Sequence, residues 1–145
     1  MFFASKKGFW IVAVIVFTAI VGLIDLVKTG NGFTPVNDSE LVCISDSEFY
    51  DQVIDNAENC CVLFTMNNSP YCDEMEYKLN QLKADKYKDL PIYKLDVTDC
   101  PDLYYRENVS GTPLIVLYRE GKEAARVMGS VSTFNLDLIL KRKMR

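Results

Sequence analysis

Val62-Leu63-Phe64-Thr65-Met66-Asn67-Asn68-Ser69-Pro70-Tyr71-Cys72 passes from apolar residues, through turn formers, to the opening of a helix. With Cys60 and Cys61 in front, residues 60–66 contain no charge and no polar alternation. A central strand covered on both faces reads this way. Pro70 suits a first helical turn, where its missing N–H has no intrahelical partner to lose. Asp73, Glu74 and Glu76 follow it and complement the positive end of the helix dipole. Tyr71, Met75, Leu79 and Leu82 recur at helical spacing and mark the expected apolar stripe.

Working outward, residues 41–44 read as a short apolar strand. Ser45-Asp46-Ser47-Glu48 offers N-caps for a helix whose apolar face is Phe49, Val53 and Ala57. Residues 92–97 form a further strand and residues 101–108 a short helix. Two strands, 114–118 and 124–128, flank the turn Arg119-Glu120-Gly121-Lys122, which predicts a β-hairpin. Ser132 or Thr133 caps a last helix carrying Phe134, Leu138 and Leu140. The order βαβαβαββα belongs to the α/β class. Its first part requires parallel strands with crossover helices, and its end an antiparallel pair.

The other end of the chain is different in kind. Residues 8–24, GFWIVAVIVFTAIVGLI, carry no charge. Extended past Asp25 to Leu26 and Val27, the run has about the twenty residues a helix needs to cross a bilayer. Lys6 and Lys7 precede it and by the positive-inside rule hold the N-terminus in the cytoplasm. A cleaved signal peptide is the rival, but Ile24-Asp25-Leu26-Val27-Lys28 contains no small-x-small cleavage site. The expected organisation is a cytoplasmic tip and transmembrane anchor over residues 1–27, a Gly- and Pro-bearing linker over 28–40, and one domain over 41–145. The membrane partner is engaged through residues 8–27, and the domain faces the extracytoplasmic side.

The inventory excludes several chemistries. Histidine is absent from all 145 residues, which removes Ser–His and Cys–His catalysis and the commonest metal ligand. No Cys-x-x-Cys pair exists, so neither a metal site nor a cofactor is expected. Beyond Lys6, Lys7, Asp25 and Lys28 there remain 13 basic and 19 acidic residues, a net charge of −6. An acidic domain without basic stripes is a poor nucleic-acid binder, so the partners expected are proteins. The terminal Lys141-Arg142-Lys143-Met144-Arg145 complements the end of a helix dipole.

The strand–Ser69-Pro70-Tyr71-Cys72–helix unit, Val109-Ser110-Gly111-Thr112-Pro113-Leu114, and Leu117-Tyr118-Arg119-Glu120-Gly121-Lys122 followed by Gly129 together resemble the thioredoxin superfamily. The resemblance covers about residues 41–140. It implies a thioredoxin fold, a mixed four- or five-stranded sheet flanked by helices, with Pro113 in cis. It also implies partner binding around Pro70, Tyr71, Thr112 and Pro113. The family motif is Cys-x-x-Cys, and here Ser69 replaces the nucleophilic first cysteine. Leu63 stands where many members have a buried aspartate that moves protons, and Asn68 replaces the usual tryptophan.

A serine hydroxyl is not ionised near neutral pH and forms no disulfide, so the two-cysteine cycle is closed to this motif. Two functions remain. One is a binding or assembly module. The other is a thiol–disulfide protein acting through Cys72 alone, by mixed-disulfide capture or an accessory redox role. At a helix start Cys72 is either an activated thiol or a half-buried remnant, since dipole and burial act in opposite directions. Cys100 sits where some thioredoxins carry a regulatory cysteine, and reads more simply as a surface thiol. Cys60 and Cys61 read as small buried hydrophobes. In the family's sheet order a strand separates Cys43 from Cys60 and Cys61. Two spacings of about 4.8 Å exceed the roughly 7 Å Cα limit of a disulfide. Asn37, Asn67 and Asn108 begin Asn-x-Ser triplets that matter only in a glycosylating host.

Reporter fusions after Arg145 test the orientation. A reporter active only outside the cytoplasm is expected to work there, and one active only in the cytoplasm to stay silent. The mature protein is expected to retain residues 1–27 by mass spectrometry.

Overall fold

The computed structural model describes residues 39–56, 58–98 and 100–144. The apolar run 8–24 and the linker up to residue 38 lie outside the described residues. Among those described, no helix is long and apolar enough to cross a membrane. The elements are β1 (Val42–Cys43), α1 (Asp46–Phe49) running on into a π-helical stretch (Tyr50–Asp55), β2 (Cys60–Thr65), α2 (Pro70–Asp85), β3 (Ile92–Asp96), α3 (Pro101–Arg106), β4 (Leu114–Arg119), β5 (Lys122–Met128) and α4 (Thr133–Lys143).

The five strands lie in the order β1-β3-β2-β4-β5. β1 and β2 each pair parallel with β3, while β4 runs antiparallel to both β2 and β5. All six residues of β2 are buried, as its apolar run predicts. Strand alternation divides them between two cores. Cys60, Val62 and Phe64 pack with Phe49, Val53, Leu103 and Val109 on one face. Cys61 and Leu63 pack with Met75, Leu79, Leu82, Leu136 and Leu140 on the other.

Ser45 caps α1 through a reciprocal box. The Glu48 N–H donates to Ser45 Oγ, and the Ser45 N–H donates to Glu48 Oε2 at 2.8 Å. The next turn widens to π geometry, with the Asn56 N–H reaching the Asp51 carbonyl five residues back. Phe49 and Val53 are fully buried as expected, whereas Ala57 lies outside the described residues.

Several expectations about phase are corrected. β1 has only two residues, both exposed, and its neighbours Leu41 and Ile44 carry the burial. In α2 the core face is Cys72, Met75, Leu79 and Leu82, while Tyr71, about 100° away around the helix, is 67% exposed. In α4 the buried residues are Leu136 and Leu140, whereas Phe134 and Leu138 face solvent. Ser132 is the N-cap, accepting from the Asn135 N–H, and this start sets the helical phase. α3 ends at Arg106 and the chain turns at Asn108 with φ 50°.

The β4–β5 hairpin turns on Glu120 and Gly121, both with positive φ (52° and 72°), the backbone of a tight two-residue hairpin turn. A Cβ on Gly121 would collide with the backbone carbonyl of Ile54. Gly121→Ala combines that collision with left-handed strain. It is expected to cost about 1–3 kcal/mol in urea unfolding, against a near-neutral Glu120→Gly.

Candidate functional site

The motif loop is built from the carboxyl end of β2 onward. The Asn67 N–H donates to Thr98 Oγ1 at 3.0 Å, and Thr98 in turn donates to Asp96 at the end of β3. Asn68 then takes a left-handed backbone, φ 58°, and brings the chain into α2. Ser69 is the N-cap in extended geometry and its hydroxyl caps nothing. Its carbonyl does the closing, accepting from the N–H groups of Cys72 (2.9 Å) and Asp73 (3.1 Å). Pro70 takes the first helical position. Ser69 is half-buried, Pro70 exposed, and Cys72, in the third helical position, only 2% exposed.

The second segment arrives at the same end of the sheet. Leu114 pairs with Phe64, so Pro113 stands just past the strand from which the motif loop departs. The Thr112–Pro113 bond is cis, as the resemblance implies. Pro113 is buried and Thr112 half-buried. The Pro113 carbonyl accepts from the Gly129 N–H at 2.8 Å, which ties this loop to the end of β5. Met128 is 52% exposed there, with Ser110 and Gly111 beside its sulfur.

Beneath the motif the sheet is apolar where a buried acid was at issue. Leu63 is fully buried, facing α2. Its neighbour across the ladder is Lys94, whose ammonium lies 2.6 Å from Glu76 Oε2. Glu76 is 8% exposed, one helical turn after Cys72. Burial alone pulls the Lys94 pKa down. The hydrogen bond and charge of Glu76 outweigh it, with Cys43 and Asp73 adding to the net rise. Sequence reading missed this pair. The available signal was the register of Glu76, four residues after Cys72 on the helix face that packs inward.

None of the five cysteines is joined in a disulfide. Cys43 is exposed on β1, and β3 lies between it and β2, as anticipated. Cys60 and Cys61 are buried at the amino end of β2, away from the motif. Cys100, expected at the surface, is half-buried and packs against the core at the start of α3. Burial, assisted by Glu58, pushes the Cys60 thiol up to about 11, and burial raises Cys61 as well. The cleft of about 340 Å³ lined by Tyr87, Leu90, Leu140 and Met144 lies at the opposite end of the sheet, so it does not serve the motif.

The thioredoxin family profile matches residues 40–142. The chain belongs to the thioredoxin family. Among its relatives, a chloroplastic thioredoxin-like 3-2 of Arabidopsis thaliana is 30% identical over 115 residues, covering 73% of this chain and 60% of that one. Thioredoxin-2 of Saccharomyces cerevisiae is 40% identical over 47 residues, 32% of this chain and 45% of its own. The chain thus spans less than two thirds of the length of these curated relatives. The crystal structure of oxidised thioredoxin O2 from Arabidopsis thaliana superposes with a TM-score of 0.64 at 22% identity, over 74% of this chain and 96% of that one. At that identity the likeness speaks for the thioredoxin fold alone.

Iodoacetamide at pH 8 is expected to modify Cys43 in the folded protein, and Cys60, Cys61 and Cys72 only after unfolding. With a pKa of about 11, Cys60 is almost wholly protonated at that pH. The unfolded thiol ionises near 9.0, so the contribution of Cys60 to stability is complete below pH 9 and is lost as pH rises through about 11. Urea titrations between pH 8 and 11 check the sign, and Cys60→Ala is expected to flatten the slope.

Proposed function

We propose that this is a membrane-tethered thioredoxin-like protein whose domain works on the extracytoplasmic side as a binding or assembly module, without two-cysteine turnover. The observation that carries this reading is the motif. Ser69 holds the N-cap position, and the neighbouring thiol, Cys72, is 2% exposed. Thiol–disulfide exchange needs an attacking thiolate and a second thiol to resolve the mixed disulfide. Ser69 supplies neither. Pro70, Tyr71, Thr112 and Pro113 act in this reading as partner-contact residues, with Tyr71 offering the most exposed surface of the four. The anchor is residues 8–27, the tether 28–40 and the working domain 41–145.

A second reading, capture of partners through Cys72 alone, draws support from the place of the Cys72 thiol in the first turn of α2, at the end of the sheet where the Pro113 loop also arrives. The burial of that thiol weighs against it, because a mixed disulfide requires an approaching sulfur in line.

Insulin reduction tests the main reading. The wild type is expected to match the dithiothreitol blank, while Ser69→Cys is expected to exceed it by about tenfold or more, with Leu63 keeping turnover slow. Strong wild-type reduction ends the proposal. A mixed disulfide formed at Cys72 in the folded wild type moves the assignment to the second reading.

A further inference from the structure

Helices cover both faces of the sheet, α1 and α3 on one side and α2 and α4 on the other. Of these, α4 is apolar on two sides. Leu136 and Leu140 are buried in the core, while Phe134 is 71% and Leu138 49% exposed. At about 100° per residue, Phe134 and Leu138 lie one turn apart on the face opposite that buried pair. Lys141 and Arg142 continue this outer face, and Lys143 completes the last turn. The single carboxylate of the helix, Asp137, sits on its flank, with Lys86 and the Tyr87 hydroxyl each 2.9 Å away. From the segment beside it, Asp85 and Asp89 stand exposed, with Lys86 and Lys88 between them. The outer face of α4 is therefore apolar and cationic, in a domain whose net charge is −6. The helix dipole explains cations in a last turn. It does not explain two large apolar side chains left in water beside them.

The chain that precedes β1 joins the domain on this same side of the sheet. The Glu40 N–H donates to Asn80 Oδ1 at 2.9 Å, and Asn80 Nδ2 donates to Ser39 Oγ at 3.2 Å. The first described residues are thus laid against α2, the helix that shares its sheet face with α4. A linker of residues 28–38 spans at most about 40 Å when fully extended, so an anchored domain stays within reach of the bilayer.

We propose that the outer face of α4 docks on an anionic phospholipid surface. Phe134 and Leu138 enter between the headgroups, and Lys141, Arg142 and Lys143 meet lipid phosphates. The acidic remainder of the domain is held off by like charge, which fixes the face it turns to the membrane. The inference rests on the membrane-tethered reading and adds to it the lipid class and the contact face.

Full-length, isotope-labelled protein is placed at one copy per nanodisc, in phosphatidylcholine alone or mixed equally with phosphatidylglycerol. Each disc carries a lipid with gadolinium at its headgroup, and amide signals are read against a diamagnetic lutetium lipid. In the anionic discs the α4 amides are expected to fade, while those of α3, across the sheet, persist. Near 1 M salt, where the Debye length is about 3 Å, the contrast between the two discs is expected to close. Lys141→Gln with Arg142→Gln and Lys143→Gln is expected to abolish that contrast. Phe134→Ser with Leu138→Ser is expected to restore the α4 signals, whereas Tyr105→Ser, exposed on α3, is expected to change nothing. Equal fading of α3 and α4, no fading of α4, or fading indifferent to both sets of α4 substitutions overturns the proposal. If α4 signals change only when a disc carries two copies, the face belongs to a second copy of the chain and the lipid assignment falls. A chain that elutes apart from the discs ends the tether reading instead. Anionic vesicles bearing the same gadolinium lipid are then added to it; fading confined to α4 keeps the docking face, and its absence overturns that as well.

Discussion

Every layer of this domain is hung on β2. The strand gives one edge to β3 and the other to β4, and it buries both faces. Neither edge has spare backbone groups for water, and neither face tolerates a polar side chain without a partner. The apolar surface of Val62, Leu63 and Phe64 is worth about 1.5–3 kcal/mol for each fully buried side chain. The motif loop leaves directly from the carboxyl end of this strand. Its position is therefore inherited from the most constrained segment in the molecule, even though the loop is exposed from Met66 to Asn68.

Parallel pairing has an electrostatic corollary. Crossover helices that follow parallel strands all start at the same end, so the N-termini of α1, α2 and α3 gather around the motif. Carboxylates favoured in first turns collect there, and cations favoured in last turns collect at the other end. Lys94 is the exception, a strand lysine drawn under α2, and Glu76 answers it from the buried face of the helix. With Leu63 beside them, the layer under Cys72 is a neutralised ion pair on an apolar floor.

The parts of this architecture that could be read from the residues are those with local causes. The unbroken run at 60–66 announced β2, Ser45 and Glu48 announced a capped helix, and the Glu120-Gly121 turn announced the hairpin. Helix phase was less legible. Tyr71, Phe134 and Leu138 have the right spacing for a stripe, but the caps start the helices so that residues one or two places along turn inward. The π-helical turn adds a residue to the period, which no apolar pattern of six residues can encode. The Glu76–Lys94 pair joins residues 18 apart in sequence through the packing of a helix on a strand. The register of Glu76 places it on the inward face of α2, but its partner follows only from that packing. Cys72 was legible as a helix-start cysteine, whereas its depth comes with the packing of the buried face of α2 that it shares with Met75, Leu79 and Leu82.

Strand alternation sends Cys60 and Cys61 to opposite cores, so two residues adjacent in the chain never share a compartment once the sheet has formed. Before then, nothing separates them. None of the five thiols is joined in the folded domain, and Cys60, Cys61 and Cys72 are shielded only once the sheet and its helices have closed over them. In an oxidising space its folding becomes a race between collapse around β2 and premature cross-linking. Along that route the fold serves as a chemical protecting group for the cysteines it encloses.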